Sequence, residues 1–339
     1  MPLLKFESKG IYCEQGDFYI DPWFPVNKAV ITHAHSDHAR SGMMHYLAHH
    51  LSKEVLKHRL GQEINIQTIA YNEPVFINGV QISLHPSGHL PGAAQVRVAY
   101  KGEVWVASGD YKTENDCLSE PFEPIQCHTF ISECTFGLPV FDWEPQSQIF
   151  SKIGNWWQQN QNENRASVLY GYSLGKAQRI LAGLNEEQGQ IFVHTAIANI
   201  NEALSQSGLR LPAYKKVADT DKKEDFSRAL IIATPASANT PWLKRFGAYE
   251  AANCSGWMAI RGFRRRSSEG GFVLSDHADW KGLLEAVKAT EASHVITTHG
   301  YTSVFARYLN EIGIEATEVT TKFSAYDEEE TSKPVETIS

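Results

Sequence analysis

His33-Ala34-His35-Ser36-Asp37-His38 is the stretch on which the reading of this chain turns, and it follows directly on the β-type run Ala29-Val30-Ile31-Thr32. Three imidazoles and a carboxylate within six residues do not suit an apolar core, where each would need a polar partner. A solvated surface gives no reason for such density either. A lone histidine is most often structural, whereas this cluster points to metal. Imidazole together with carboxylate suits zinc, with manganese or iron as alternatives.

One short turn cannot supply every ligand, so further donors must come from elsewhere in the chain. His89 stands in Ser-Gly-His-Leu-Pro-Gly after the β-type run 80–84. Asp110 stands in Ser-Gly-Asp-Tyr after the run 103–108, and His299 in Thr-Thr-His-Gly after the run 294–298. Singly, each suits a capped turn as well as a ligand. Three of them at strand ends beside HAHSDH form a donor set, because a sheet fixes the backbone while the loop frees the side chain.

The rest of the chain sets the frame. A length of 339 residues with 42% hydrophobic content allows one large domain or two ordinary ones. The five cysteines (Cys13, Cys117, Cys127, Cys134 and Cys254) form no CxxC pair, which favours reduced thiols and a cytoplasmic protein over a disulfide framework. No stretch approaches the roughly 20 apolar residues of a membrane span. The net charge of −8 argues mildly against a nucleic-acid partner. The sign segregates, however: residues 261–266 read RGFRRR and 327–330 read DEEE. The acidic, aperiodic stretch 327–339 has the composition of a disordered tail.

Up to residue 145 the pattern is one of short β-type runs joined by turn pairs such as Asn78-Gly79, with one helix expected over 41–59. His45, His49, His50 and His58 fall on that helix, as solvated or supporting groups rather than ligands. From 146 to 270 strands alternate with helices, the pattern of an α/β unit with a parallel sheet. A strand, helix, strand and helix then follow over 271–312.

The HAHSDH run with His89, Asp110 and His299 resembles the metallo-β-lactamase superfamily. That resemblance implies an αββα sandwich built from 1–145 and 271–326. It implies one ion on His33, His35 and His89, a second on Asp37, His38 and His299, and Asp110 bridging them. Asp21, in Tyr-Ile-Asp-Pro-Trp, matches the aspartate that buttresses the histidine loop. Two such ions, Zn2+ first and Mn2+ second, lower the pKa of a shared water and brace an in-line attack on phosphorus.

The metals alone do not choose a substrate. Glu133 in Phe-Ile-Ser-Glu-Cys-Thr-Phe-Gly, His277 in Leu-Ser-Asp-His-Ala-Asp-Trp and the α/β insertion 146–270 between them resemble the β-CASP branch of nucleases. There the acidic residue orients the histidine, which protonates the leaving 3′-oxygen or holds the scissile phosphate. Catalysis would thus fall to Asp37, Glu133 and His277. The wording of Glu-Cys-Thr-Phe-Gly-Leu-Pro, Ser-Gly-Trp-Met and Ser-Asp-His-Ala-Asp-Trp is similar to the bacterial ligase-associated DNA exonucleases. The likeness implies a DNA exonuclease of DNA repair, working 5′ to 3′ and associated with a DNA ligase and a helicase, with no membrane partner. An RNA-processing nuclease of the same branch is the alternative, and a small-molecule metallo-hydrolase a weaker one.

Substrate binding is expected at two places. In Tyr172-Ser173-Leu174-Gly175-Lys176-Ala177-Gln178, backbone amides with Ser173, Gly175 and Lys176 could seat a phosphate at a helix start. Arg261, Arg264 and Arg265 could follow a nucleic-acid backbone, with Trp257 and Phe263 available to stack.

Overall fold

The structure, a computed structural model, describes residues 2–221, 223–260 and 270–319. Two compact units emerge. The described residues up to Val140 join those from His277 onward, and Phe141–Asp276 forms the other. The arginines at 261, 264, 265 and 266 and the acidic stretch 327–339 lie outside the described residues.

In the first unit two mixed sheets face each other. The first runs Lys5–Glu7, Gly10–Cys13, Phe18–Ile20, Lys28–Val30, His45–His49, Ile66–Ile69. The second runs Ala316–Glu318, His294–Gly300, Thr129–Cys134, Glu103–Ala107, Ala94–Tyr100, Val80–Pro86, Val75–Ile77. Period-two alternation assigns the faces. Ala107, Ile131 and Ile296 pack with Phe18, Ile20, Val30 and Leu47 of the first sheet. Their neighbours Val106, Phe130 and Val295 pack instead with Leu283, Val287, Phe305 and Leu309 of the helices Trp280–Ala289 and Thr302–Glu311. The result is sheet upon sheet with helices outside.

The expected helix over 41–59 is corrected. His45–His49 is a strand, parallel to both Lys28–Val30 and Ile66–Ile69, and the α-helix begins only at Lys53, after a 3-10 turn over His50–Ser52. Tyr46, Leu47 and Ala48 are buried consecutively, as in a strand covered on both faces, and so short an apolar run carries no decisive period.

The second unit is an all-parallel six-stranded sheet in the order Lys215–Lys216, Ile191–Val193, Leu230–Ala233, Ala166–Tyr170, Tyr249–Cys254, Gly270–Phe272. Ala166–Tyr170 is buried throughout. One face packs on Ile153 and Trp157 of helix Gln146–Asn162, Ile180 of Lys176–Gly183 and Ile197 of Thr195–Gln206. The other packs on Phe226, Leu243 and Phe246. Gly270–Phe272 pairs with Tyr249–Cys254, so this strand stands in the second unit's sheet, where 271 had been the expected start of the returning domain. Among the described residues no helix is long and apolar enough to cross a membrane.

Candidate metal centre

The chain leaves Lys28–Val30 through Ile31 and Thr32 and enters the HAHSDH turn. Asp21, at φ 43°, takes the Thr32 amide on Oδ1 at 2.8 Å. Its Oδ2 takes the Thr32 hydroxyl at 2.5 Å and lies 2.7 Å from His38 Nδ1. A carboxylate at Nδ1 fixes the proton there and turns the Nε2 lone pair outward, the arrangement typical of a metal-binding histidine. Asp110 reaches the same turn from Ser108-Gly109. A Cβ on Gly109 (φ 56°) would lie 2.7 Å from Thr32 Cβ, so the approach needs glycine.

The donor atoms converge in groups that share Asp110: His33, His35, His89 and Asp110; Asp37, His38 and Asp110; and Asp110 with Glu133 and His277. In the first, His33 Nε2 lies 3.3 Å and His89 Nε2 3.8 Å from Asp110 Oδ2, and His35 Nδ1 lies 3.2 Å from His89 Nε2. In the second, His38 Nε2 lies 3.4 Å from Asp37 Oδ2 and 3.5 Å from Asp110 Oδ1. Two donors bound tetrahedrally to one zinc stand about 3.3 Å apart. Among the described residues His33 Nε2, His38 Nε2 and Asp110 Oδ1 are buried without a hydrogen-bond partner. Orphaned buried donors at ligand-to-ligand spacing fit divalent ions. His299 stands beside the second group rather than within it, its ring stacked 5.3 Å from that of His38.

The electrostatics agree with the geometry. Burial opposes ionisation of Asp110, but His38 and His33 outweigh it and hold the carboxyl well below its ordinary range. Burial likewise opposes charge on His38, yet Asp110, Asp37 and Asp21 raise it well above its ordinary value. So much buried anionic charge around one imidazole calls for a cation. His89 is pushed well down by burial and then by His277 and His33, and His299 is lowered by burial and then by His38. Both rings are thereby kept neutral, the state that can ligate.

Glu133, at the end of Thr129–Cys134, is 1% exposed. Its Oε1 accepts the Tyr111 amide at 2.9 Å and lies 2.9 Å from His277 Nδ1, and its Oε2 accepts the Thr135 amide at 3.2 Å. The His277 ring is 4.7 Å from that of His89, so the pair faces the first donor group. The helix that follows is capped by Asp279, which takes the Gly282 amide at 2.8 Å, and not by Asp276 or His277.

In the second unit Lys176 corrects an expectation. It is 3% exposed and donates to Leu274 O at 2.9 Å and to Asp276 Oδ1 at 2.7 Å, so its ammonium is engaged inside the unit and does not present itself to a phosphate. Gly175 (φ 85°) gives its amide to Gln178 Oε1, and Ser173 O accepts from Gln178 Nε2. His194 caps helix Thr195–Gln206 by accepting the Ala196 amide, edge-on to Trp242. His45 and His50 bond Asn65 and Thr68, and His49 stacks on Tyr71, all apart from the donor groups. Two supporting residues escaped the sequence reading. Thr32, signalled only by its place before His33, ties Asp21 to the loop. Arg59 donates to Ala34 O from 25 residues away, a contact without a local signal.

No family model matches the chain. It is 28% identical over 313 residues to a protein of Opitutus terrae named "Probable DNA ligase", covering 91% of this chain and 30% of that one. It is 20% identical over 294 residues to Endoribonuclease YSH1 of Candida glabrata, covering 69% and 38%. It is 25% identical over 123 residues to Cleavage and polyadenylation specificity factor subunit 3 of Dictyostelium discoideum, covering 36% and 16%. The chain thus spans well under half the length of these relatives. In fold it is similar to a crystal structure of a protein of unknown function from Enterococcus faecalis V583, with a TM-score of 0.58 at 10% identity over 87% of this chain and 79% of that one.

Proposed function

We propose that this chain is a metal-dependent nuclease of the β-CASP branch of the metallo-β-lactamase superfamily, acting on DNA as an exonuclease. The observation that carries the reading is the Glu133–His277 pair set against two donor groups that share Asp110. A lactamase or thioesterase site needs the metals but has no use for that pair. His33, His35 and His89 would hold one divalent ion, Asp37, His38 and His299 the other, with Asp110 between them and zinc ahead of manganese. Such ions would activate water near neutral pH and offset charge on the phosphate.

The chain's own residues supply the rest. Asp21 sets the orientation of His38. Glu133 pins His277 through Nδ1, so the opposite ring nitrogen is the one that would give a proton to the leaving 3′-oxygen or hold the scissile phosphate. Ser173, and Arg261, Arg264 and Arg265, would contact the nucleic-acid backbone.

The DNA reading is supported by likeness over 91% of the chain to part of a protein named as a ligase, which also suits joint work with a ligase and a helicase in repair. Digestion from 5′ ends in the cytoplasm completes the proposal. Similarity to proteins named endoribonucleases favours RNA as the second reading. End-labelled DNA and RNA of matched sequence, incubated with chelated protein to which zinc or manganese is restored, separate the two. Stepwise shortening of DNA alone is expected, and equal or preferred cleavage of RNA would reverse the assignment.

A further inference from the structure

The strands that carry Glu133 and His299 lose register at one point. Thr129–Cys134 and His294–Gly300 run parallel with Glu133 opposite Thr298, but Cys134 then faces Gly300. His299 is therefore the extra residue of a β-bulge, a device that re-aims a side chain. Its φ of 52° is unfavourable for a residue with a Cβ and persists only where the surroundings impose it. Gly300 follows at φ 78°, where an added Cβ would lie 2.3 Å from Cys134 O.

Cys134 touches this bulge at both ends. Its carbonyl accepts the Tyr301 amide at 2.9 Å, just past the bulge. Its thiol, fully buried, lies 2.9 Å from His299 O and 3.3 Å from Thr298 O and can donate to these carbonyls. We propose that Cys134 is a positioning residue for His299: its thiol, bonded to the bulge carbonyls, sets the direction in which the imidazole leaves the sheet. Because Glu133 precedes Cys134, one stretch of strand then places both the His277 partner and the direction of His299. The inference rests on the reading of His299 as a ligand of the second ion. A thiol that merely filled core volume would act as a small hydrophobe. In that case alanine would be better tolerated than serine, whereas a positioning role demands the reverse order.

The test is zinc titration of the full, chelator-stripped chain by calorimetry, with thermal unfolding of the stripped proteins run alongside. The wild type is expected to bind two equivalents. Cys134→Ala is expected to weaken one of them by roughly 10- to 100-fold, as loss of a supporting hydrogen bond does, and to leave the other unchanged. Cys134→Ser, which keeps a donor, is expected to stay within a few-fold of wild type even where its melting point falls. Where Cys134→Ala does not fold, Cys134→Val carries the same expectation. Unchanged affinities in the alanine or valine variant, or a loss with serine as large as with alanine, would overturn the inference alone. A wild type binding fewer than two equivalents would overturn the reading of the second site, and this inference with it.

Discussion

His277 Nδ1 lies 2.9 Å from Glu133 Oε1, and the same oxygen takes the amide of Tyr111, the residue after Asp110. One buried carboxylate thus holds His277 and braces the chain next to Asp110. Replacing it with an amide keeps the shape but loses the charge. Glu133→Gln is expected to lower kcat for DNA cleavage about 10²- to 10⁴-fold. Zinc content, measured on the same preparation by atomic absorption, should stay at the wild-type value. Asp37→Ala should lose both.

Asp21 acts from behind the donors. Its Oδ2, 2.7 Å from His38 Nδ1, fixes which nitrogen carries the proton. Asp21→Ala is expected to weaken metal binding by roughly 10- to 100-fold without removing a ligand. Competition with a chromophoric chelator measures this, and unchanged affinity would mean that the HAHSDH turn orients itself.

His49 gives a pH signature apart from the metal groups. Burial pushes its imidazole down to about 4, and it stacks on Tyr71 with ring centroids 3.7 Å apart. The folded state therefore keeps His49 neutral where the unfolded chain, at about 6.5, takes up a proton. Its contribution is fully present above pH 6.5 and is lost as the pH falls towards 4. Between pH 7 and pH 5 the stripped wild type should lose about 2 kcal/mol more unfolding free energy than His49→Phe. Urea titrations at the two pH values check the difference.

Lys176 separates a structural role from a phosphate-binding one. Its buried pair with Asp276 predicts that Lys176→Met destabilises the protein by about 3–5 kcal/mol, because an unpaired charge is left inside. A phosphate contact would instead leave stability intact and flatten the salt dependence of DNA binding. Denaturant unfolding beside a salt series distinguishes them.

What could be read in advance follows from how far apart the cooperating residues stand in the chain. HAHSDH declares itself because its donors crowd into six residues, and His89, Asp110 and His299 because each stands at or just after the end of a strand. Glu133 and His277, 144 residues apart, carry no local sign of pairing and were reached through family likeness, as was the buttressing place of Asp21. The strand His45–His49 was misread because a short apolar run suits either period. Lys176 was misplaced because its partner Asp276 lies 100 residues on, and a lysine at a helix start gives no hint of burial.

Paired donor groups sharing Asp110 are what would make this chain a phosphodiester hydrolase. The most direct measurement is single-turnover cleavage of 5′-labelled DNA by chelator-stripped protein as zinc or manganese is restored in steps. No cleavage is expected at zero metal, then a rise that saturates at two equivalents, with no recovery at any metal level in Asp110→Ala. Full cleavage in the presence of chelator, or wild-type rates from Asp110→Ala, would contradict it.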